Sequence, residues 1–216
     1  MRIGILGTGN MATALGAQWA ASGHELMISG RQPAKAEALA QRIGGSARAG
    51  TFAEAVEFGS VVLIAVLHGA IREVLSAAGA ESGSFRDKVV IDCSNAVVPG
   101  RFVLDLPSGT SMAEQIAGQA NGAKVVKAFN LCHESIWRLT PPAFDGRPLL
   151  VPLCGDDAGA VETVRSLVTD IGCEPADGGR LEHAPLLEAT AAFAIGLWAR
   201  GAEAQAMLPP FEAFGV

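Results

Sequence analysis

The residues with the clearest chemical potential lie near the start of the chain. Gly7, Gly9 and the small Ala12 follow a short apolar run in the order GTGNMA. This spacing points to phosphate binding. Gly7 permits a tight exit from a strand, Gly9 removes a side chain where a pyrophosphate must approach the backbone, and Ala12 lets the following helix pack close. The helix N-terminus adds unpaired N–H donors and the positive end of its dipole. A glycine pattern alone is a weak signal, since a tight structural turn also produces it. Its place between a strand and a helix, at the start of an alternating chain, favours the phosphate.

A second group follows in ISGRQPAK, residues 28–35. In a dinucleotide site the end of the second strand faces the adenosine ribose, where an acid binds the two hydroxyls and repels a 2′-phosphate. No acid is present here. Ser29 and Gly30 clear the space, Arg31 can cover the adenine or fork onto a phosphate, and Lys35, one turn later, adds a mobile charge. The pattern predicts NADP(H) over NAD(H). The competing reading, two solvated cations in the first turn of a helix, leaves the missing acid unexplained.

Further along, polar residues follow three more apolar runs. Leu67 and His68 should lie near the ribose or nicotinamide of such a cofactor, with His68 either a donor to a phosphate or ribose oxygen or an exposed loop residue. Ser94 and Asn95 offer a hydroxyl and an amide, or form a simple turn. Phe129, Asn130 and His133 are expected deeper in the same crevice, with Leu67 and Phe129 forming an apolar slot. His133 and His183 are the two candidates for a general acid near neutral pH, and neither has a partner identifiable from sequence. Arg138 and Arg147 are the available cations for a small polar substrate, and Trp137 could block the pocket. The chain has no tyrosine, so a Tyr-Lys proton relay is excluded. No Ser-His-Asp set or metal spacing is present. Hydride transfer between two bound rings suits this set, because positioning does most of its work.

These residues need a frame. Half of the 216 residues are apolar and 18% are charged, the composition of a folded protein with a sizeable core. The net charge of -6 argues against nucleic acid as a partner. Cys93, Cys132, Cys154 and Cys173 are dispersed and read as buried thiols in a reducing compartment. Met1 runs almost directly into a strand, and no apolar run approaches the ~20 residues of a membrane span; the expectation is a cytoplasmic protein with no membrane partner. Continuous Val/Ile/Leu runs such as SVVLIAVL and DKVVIDCSN alternate with helical segments. The pattern predicts an α/β fold with a doubly wound, mainly parallel sheet. Residues 1–130 are expected to form the nucleotide-binding domain. Residues 131–216 would form a small C-terminal α/β extension that completes an acceptor pocket and ends in a long apolar helix over 181–208. Such a helix requires cover, and a second subunit can supply it.

The same segments resemble a known family, the coenzyme F420-dependent NADP oxidoreductases. MRIGILGTGNMATALGAQWAASGHELMISGR is similar to their N-terminal cofactor unit, GAKVVKAFN to their sixth strand, and the CGDD turn and DGGRLE stretch to their C-terminal segment. The pairing of VVKAFN with CGDD is the more specific signal. The resemblance implies a Rossmann fold and hydride transfer between NADP(H) and a small-molecule acceptor, the deazaflavin F420. It also implies a homodimer. It places NADP contacts on Thr8, Gly9, Asn10 and Met11, the 2′-phosphate on Arg31 and Lys35 with Ser29 or Gly30, and the nicotinamide half beside Leu67. Similar motifs occur in the reductase domain of membrane metalloreductases, which passes electrons to a flavin. A flavin, a quinone-like compound or a small imine or keto acid is therefore an alternative acceptor, and a non-catalytic NADP(H) sensor is a third reading.

Overall fold

The structure is a computed structural model that describes residues 1–207. Ten strands are formed in chain order: β1 (Arg2–Leu6), β2 (Glu25–Ser29), β3 (Arg48–Gly50), β4 (Val61–Ile64), β5 (Val89–Asp92), β6 (Lys124–Lys127), β7 (Ala143–Phe144), β8 (Arg147–Pro148), β9 (Leu150–Gly155) and β10 (Glu174–Asp177). The α-helices are α1 (Asn10–Ala21), α2 (Pro33–Ile43), α3 (Phe52–Phe58), α4 (Ile71–Ala77), α5 (Met112–Gln119), α6 (Ala158–Thr169) and α7 (Ala184–Trp198).

Eight strands form one sheet in the order β10-β9-β6-β5-β4-β1-β2-β3, and β7 and β8 make a separate small ribbon. Every pair in the large sheet is parallel except β6 with β9. Strand order reverses between β1 and β4, which opens a crevice at their carboxyl ends. The strands are continuous apolar runs because both faces are covered. Helices α1, α2 and α6 bury Leu15, Trp19, Leu39, Val164 and Leu167 on one face. Helices α3, α4, α5 and α7 bury Val56, Leu75, Ile116 and Ala184 on the other.

Local signals set the helix ends. Thr51 and Ser111 each accept a hydrogen bond from the backbone N–H three residues on, and Glu54 and Glu114 return it, so α3 and α5 both begin with a capping box. Asp157 caps α6 by accepting from the Ala160 N–H at 2.8 Å.

The expected C-terminal helix is shorter than its apolar composition suggested. Leu181–His183 form a 3₁₀ turn, α7 ends at Trp198, and the chain turns at Gly201, where φ is +79°. The part of that expectation beyond residue 207, with the rest of the extension to 216, lies outside the described residues. Among the described residues no helix is long and apolar enough to cross a membrane, and no cluster has a metal-binding composition.

Trp19 joins the first helix to the C-terminal segment. Its ring is fully buried, its indole N–H donates to the Leu167 carbonyl at 3.1 Å, and Phe129 packs edge-on at 5.9 Å. Phe129 in turn meets Trp137 edge-on at 5.4 Å. Phe129 and Trp137, expected beside the crevice, are thus core residues beneath α1; their ring area is better buried against Trp19 than left at a wet strand edge. Replacing Trp19 with Ala should cost about 3–5 kcal/mol, read as a lowered midpoint in urea unfolding.

Candidate functional site

A cleft of about 510 Å³ runs along the carboxyl ends of β2, β1, β4 and β5. Its floor is the Gly7–Met11 turn, one end is Gly30, Arg31, Gln32 and Lys35, and the other is Cys93, Ser94 and Asn95. Ala65, Val66, Leu67 and His68 form the wall between. A second hollow shares Gly30, Arg31 and Phe52 and continues past Thr51, which extends the space at the cationic end.

The glycines of the turn serve different ends. Gly7 has φ +135°, and a Cβ there would lie 2.1 Å from the Ala65 carbonyl oxygen, so the fold itself requires it. Gly9 has φ -81° and ψ -170°, open to any residue, and a Cβ there would meet nothing within 4 Å. No protein atom demands glycine at 9; the space it leaves opens into the cleft. Gly9 is also the N-cap of α1, with no side chain to cap the helix and no acid in its first turn. The first N–H groups of α1 therefore remain available to an anion.

At the cationic end the small-residue reading needs one correction. Ser29 is fully buried and donates to the Ile5 carbonyl at 2.9 Å, tying β2 to β1 rather than reaching the cleft. Gly30 lines the cleft, and a Cβ on it would press 2.8 Å from Thr8 Cγ2. Arg31 and Lys35 are exposed at the start of α2, and among the described residues neither forms an ion pair.

Leu67 is 83% exposed on the wall. His68 beside it is partly buried, with Nε2 3.6 Å from Asp105 Oδ2. Neither His133 nor His183 lines the cleft. His133 faces a separate cavity of about 500 Å³ and pairs with Glu134 at 2.8 Å. His183 is exposed and packs against Gly179, where a Cβ would fall 2.1 Å from Nδ1. Helical and loop spacing carried each of them away from the strand ends. Arg147 lines the same separate cavity, and Arg138 is exposed outside the cleft. Asn10 donates to Glu134 at 2.9 Å, which brings the loop after β6 to the rim of the glycine turn.

The far end is held by groups whose roles sequence reasoning missed. Asp92, Lys127 and Glu188 are all fully buried. Lys127 Nζ donates to Asp92 Oδ2 at 2.8 Å, to Glu188 Oε1 at 2.8 Å and to the Ser94 carbonyl. Asp92 Oδ1 accepts from the Ser94 N–H at 2.9 Å and its hydroxyl at 2.6 Å. Glu188 Oε1 also accepts from the Met112 N–H at 2.9 Å, while Glu188 Oε2 is buried without a partner. Asn95 donates to the Asn130 carbonyl at 2.6 Å, and Asn130 donates back to Asn95 Oδ1 at 2.9 Å. The side chains of Ser94 and Asn95 are therefore committed to shaping the turn.

Electrostatics follow from this crowding. Desolvation pulls the Lys127 pKa down, but the carboxylates of Asp92 and Glu188 together override it and hold it above the ordinary lysine value. Burial pushes Glu188 up, and Lys127 draws it back only in part. Burial, with the charge of Asp92, raises the Cys93 thiol to about 12; it lines the cleft as a neutral thiol, not a nucleophile.

A doubly wound sheet with a glycine turn at its switch point defines a Rossmann-type fold. Residues 2–96, less than half of the chain, match the sequence model of the family described as "NADP oxidoreductase coenzyme F420-dependent". A proposed F420-dependent NADP reductase from Arthrobacter sp. FB24 is similar in structure, with a TM-score of 0.80 and 26% identity over 93% of this chain and 95% of that one. The metalloreductase STEAP3 of Rattus norvegicus is 30% identical over 87% of this chain, which spans 36% of that protein's length. A reductive aminase from Aspergillus terreus shares the fold, with a TM-score of 0.66 and 21% identity over 92% of this chain and 62% of that one.

Removing the ammonium would strand two buried carboxylates. Lys127→Met should therefore destabilise the protein by about 3–5 kcal/mol, measured by chemical denaturation.

Proposed function

We propose that the protein transfers hydride between NADP(H) and the deazaflavin coenzyme F420, with the cofactor in the cleft above the Gly7–Met11 turn. The observation that carries the NADP(H) part is the carboxylate-free end of β2, with Arg31 and Lys35 both exposed and without ion pairs among the described residues. A 2′-phosphate supplies the anion these cations lack. The vacant space above Gly9 and the uncapped start of α1 fit a pyrophosphate. The family description and the printed name of the Arthrobacter neighbour both support F420 as the acceptor.

The bound cofactor supplies a hydride at C4 of its nicotinamide. The chain's own contribution is positional. The Gly7–Met11 backbone anchors the phosphates, Arg31 and Lys35 select the 2′-phosphate, and Leu67 gives the wall an apolar surface that keeps water from the reacting rings. His68 is a titratable side chain of that wall, with its Nε2 3.6 Å from Asp105 Oδ2. The rat relative's name as a metalloreductase favours a second reading, in which the acceptor is a flavin.

We also propose a homodimer formed through α7, which exposes Leu186 and Phe193, seven residues apart and so on one face. The wild type should sediment as a dimer and Phe193→Asp as a monomer; a monomeric wild type would discard this assembly.

Mixing NADPH with oxidised F420 should bleach the deazaflavin's visible absorbance, with NADH far slower. The Arg31→Ala/Lys35→Ala variant should bind NADPH about 10- to 100-fold more weakly and NADH unchanged. Tight NADPH binding with F420 left oxidised would reject that acceptor and leave the nucleotide site standing.

A further inference from the structure

Arg31 and Lys35 mark the adenosine end of the cleft, so on the reading above the nicotinamide half extends across the switch point toward Cys93, Ser94 and Asn95. We propose that Lys127 is a positioning residue for that half: its buried ammonium fixes the Ser94–Asn95 turn against the cofactor without touching it. The inference rests on the NADP(H) assignment.

An ammonium has three N–H donors, and Lys127 places each on a different acceptor: Asp92 Oδ2, the Ser94 carbonyl and Glu188 Oε1. Asp92 uses its other oxygen on the N–H and hydroxyl of Ser94. The carbonyl, N–H and hydroxyl of Ser94 are thus all gripped by one buried ion pair. Asn95, the next residue, is held by its paired amide bonds to Asn130. The turn cannot slide without uncovering a charge in a low-dielectric interior.

Stability does not by itself call for this arrangement. Apolar side chains of similar volume fill buried positions as well or better, because charges must first be desolvated. A charge-assisted set gives direction instead: it fixes where the Ser94 carbonyl lies, which apolar packing would not. The frame also extends beyond the strand ends. Glu188 brings α7 to the ammonium and accepts from the first N–H of α5, so β5 and α7 meet on the same nitrogen and α5 is tied to it through Glu188.

The adenosine end is built separately. The Gly7 N–H donates to the Ser29 carbonyl, and Ser29 bonds Ile5; none of these contacts involves Lys127. Damage to the cluster should therefore be felt by one half of the cofactor and not the other.

Calorimetric titration of the Asp92→Asn and Lys127→Met variants with NADPH and with 2′,5′-ADP, which carries only the adenosine half, tests this. The affinity for NADPH should fall about tenfold or more, with that for 2′,5′-ADP within about twofold of the wild type. Asp92→Asn leaves one ammonium facing one acid, so it keeps the test available should Lys127→Met fail to fold. A folded Asp92→Asn protein with unchanged NADPH affinity would overturn the proposal, as would equal losses for both ligands. A wild type that bound neither ligand would overturn the NADP(H) reading and this inference with it.

Discussion

A strand near the middle of a doubly wound sheet has helices on both faces and no solvent to receive a charge. Lys127 ends such a strand, and its ammonium is satisfied only because Asp92, the Ser94 carbonyl and Glu188 converge on it. That convergence constrains much of the molecule. It requires β5 and β6 to end at the same height, as their register places them, with Asp92 opposite Lys127. It requires α7 to bring Glu188 over the sheet and α5 to start beside it, since the Met112 N–H shares the same oxygen. The cost of burying these charges is recovered only if every contact forms together, so the strand ends that wall the cleft and the helices behind them settle as one unit.

The floor of the cleft rests on close approach rather than charge. Gly7 lies where a Cβ would overlap the Ala65 carbonyl, and Gly4 where it would fall 2.1 Å from the Ala55 carbonyl. Side chains at these positions would push β1 away from α3 and from the segment leaving β4. Gly9 differs, since nothing in the protein presses on it. The contrast between glycines that the fold needs and one that it does not separates architecture from site within six residues.

What the sequence made legible was local. The alternation of apolar runs, the glycine turn and the absent acid after β2 are each written in a few consecutive residues, and the parallel sheet follows from the alternation. What it concealed depends on contacts between distant segments. Lys127 is 35 residues from Asp92 and 61 from Glu188; in isolation it is one cation closing an apolar run, and Glu188 is one acid in an apolar helix. Ser29 was placed correctly at the end of β2, yet the pleat turns its hydroxyl inward to Ile5. Phe129 and Trp137 follow β6 in sequence, but the T-shaped stack with Trp19 draws both into the core. Hydrophobicity located α7, whereas the turn at Gly201 decided its length.

The titratable groups around the cleft bear on the chemistry proposed for it. Cys93 is held as a thiol by burial and the neighbouring Asp92. Lys127 is kept charged and its three donors are engaged, so it has no proton to give without breaking the turn it holds. His133 and His183 lie elsewhere. His68 remains, and it sits on a wall whose neighbour Leu67 is apolar and exposed. A site furnished in this way has invested in holding backbone and rings still rather than in moving protons. Hydride transfer between aligned planar rings asks for that investment above others, because the rate depends on the distance and angle between them and the electrons travel with the hydrogen. Among NADP(H) reactions, those with a flat acceptor that takes up its proton from water are therefore the best match to the groups this cleft contains.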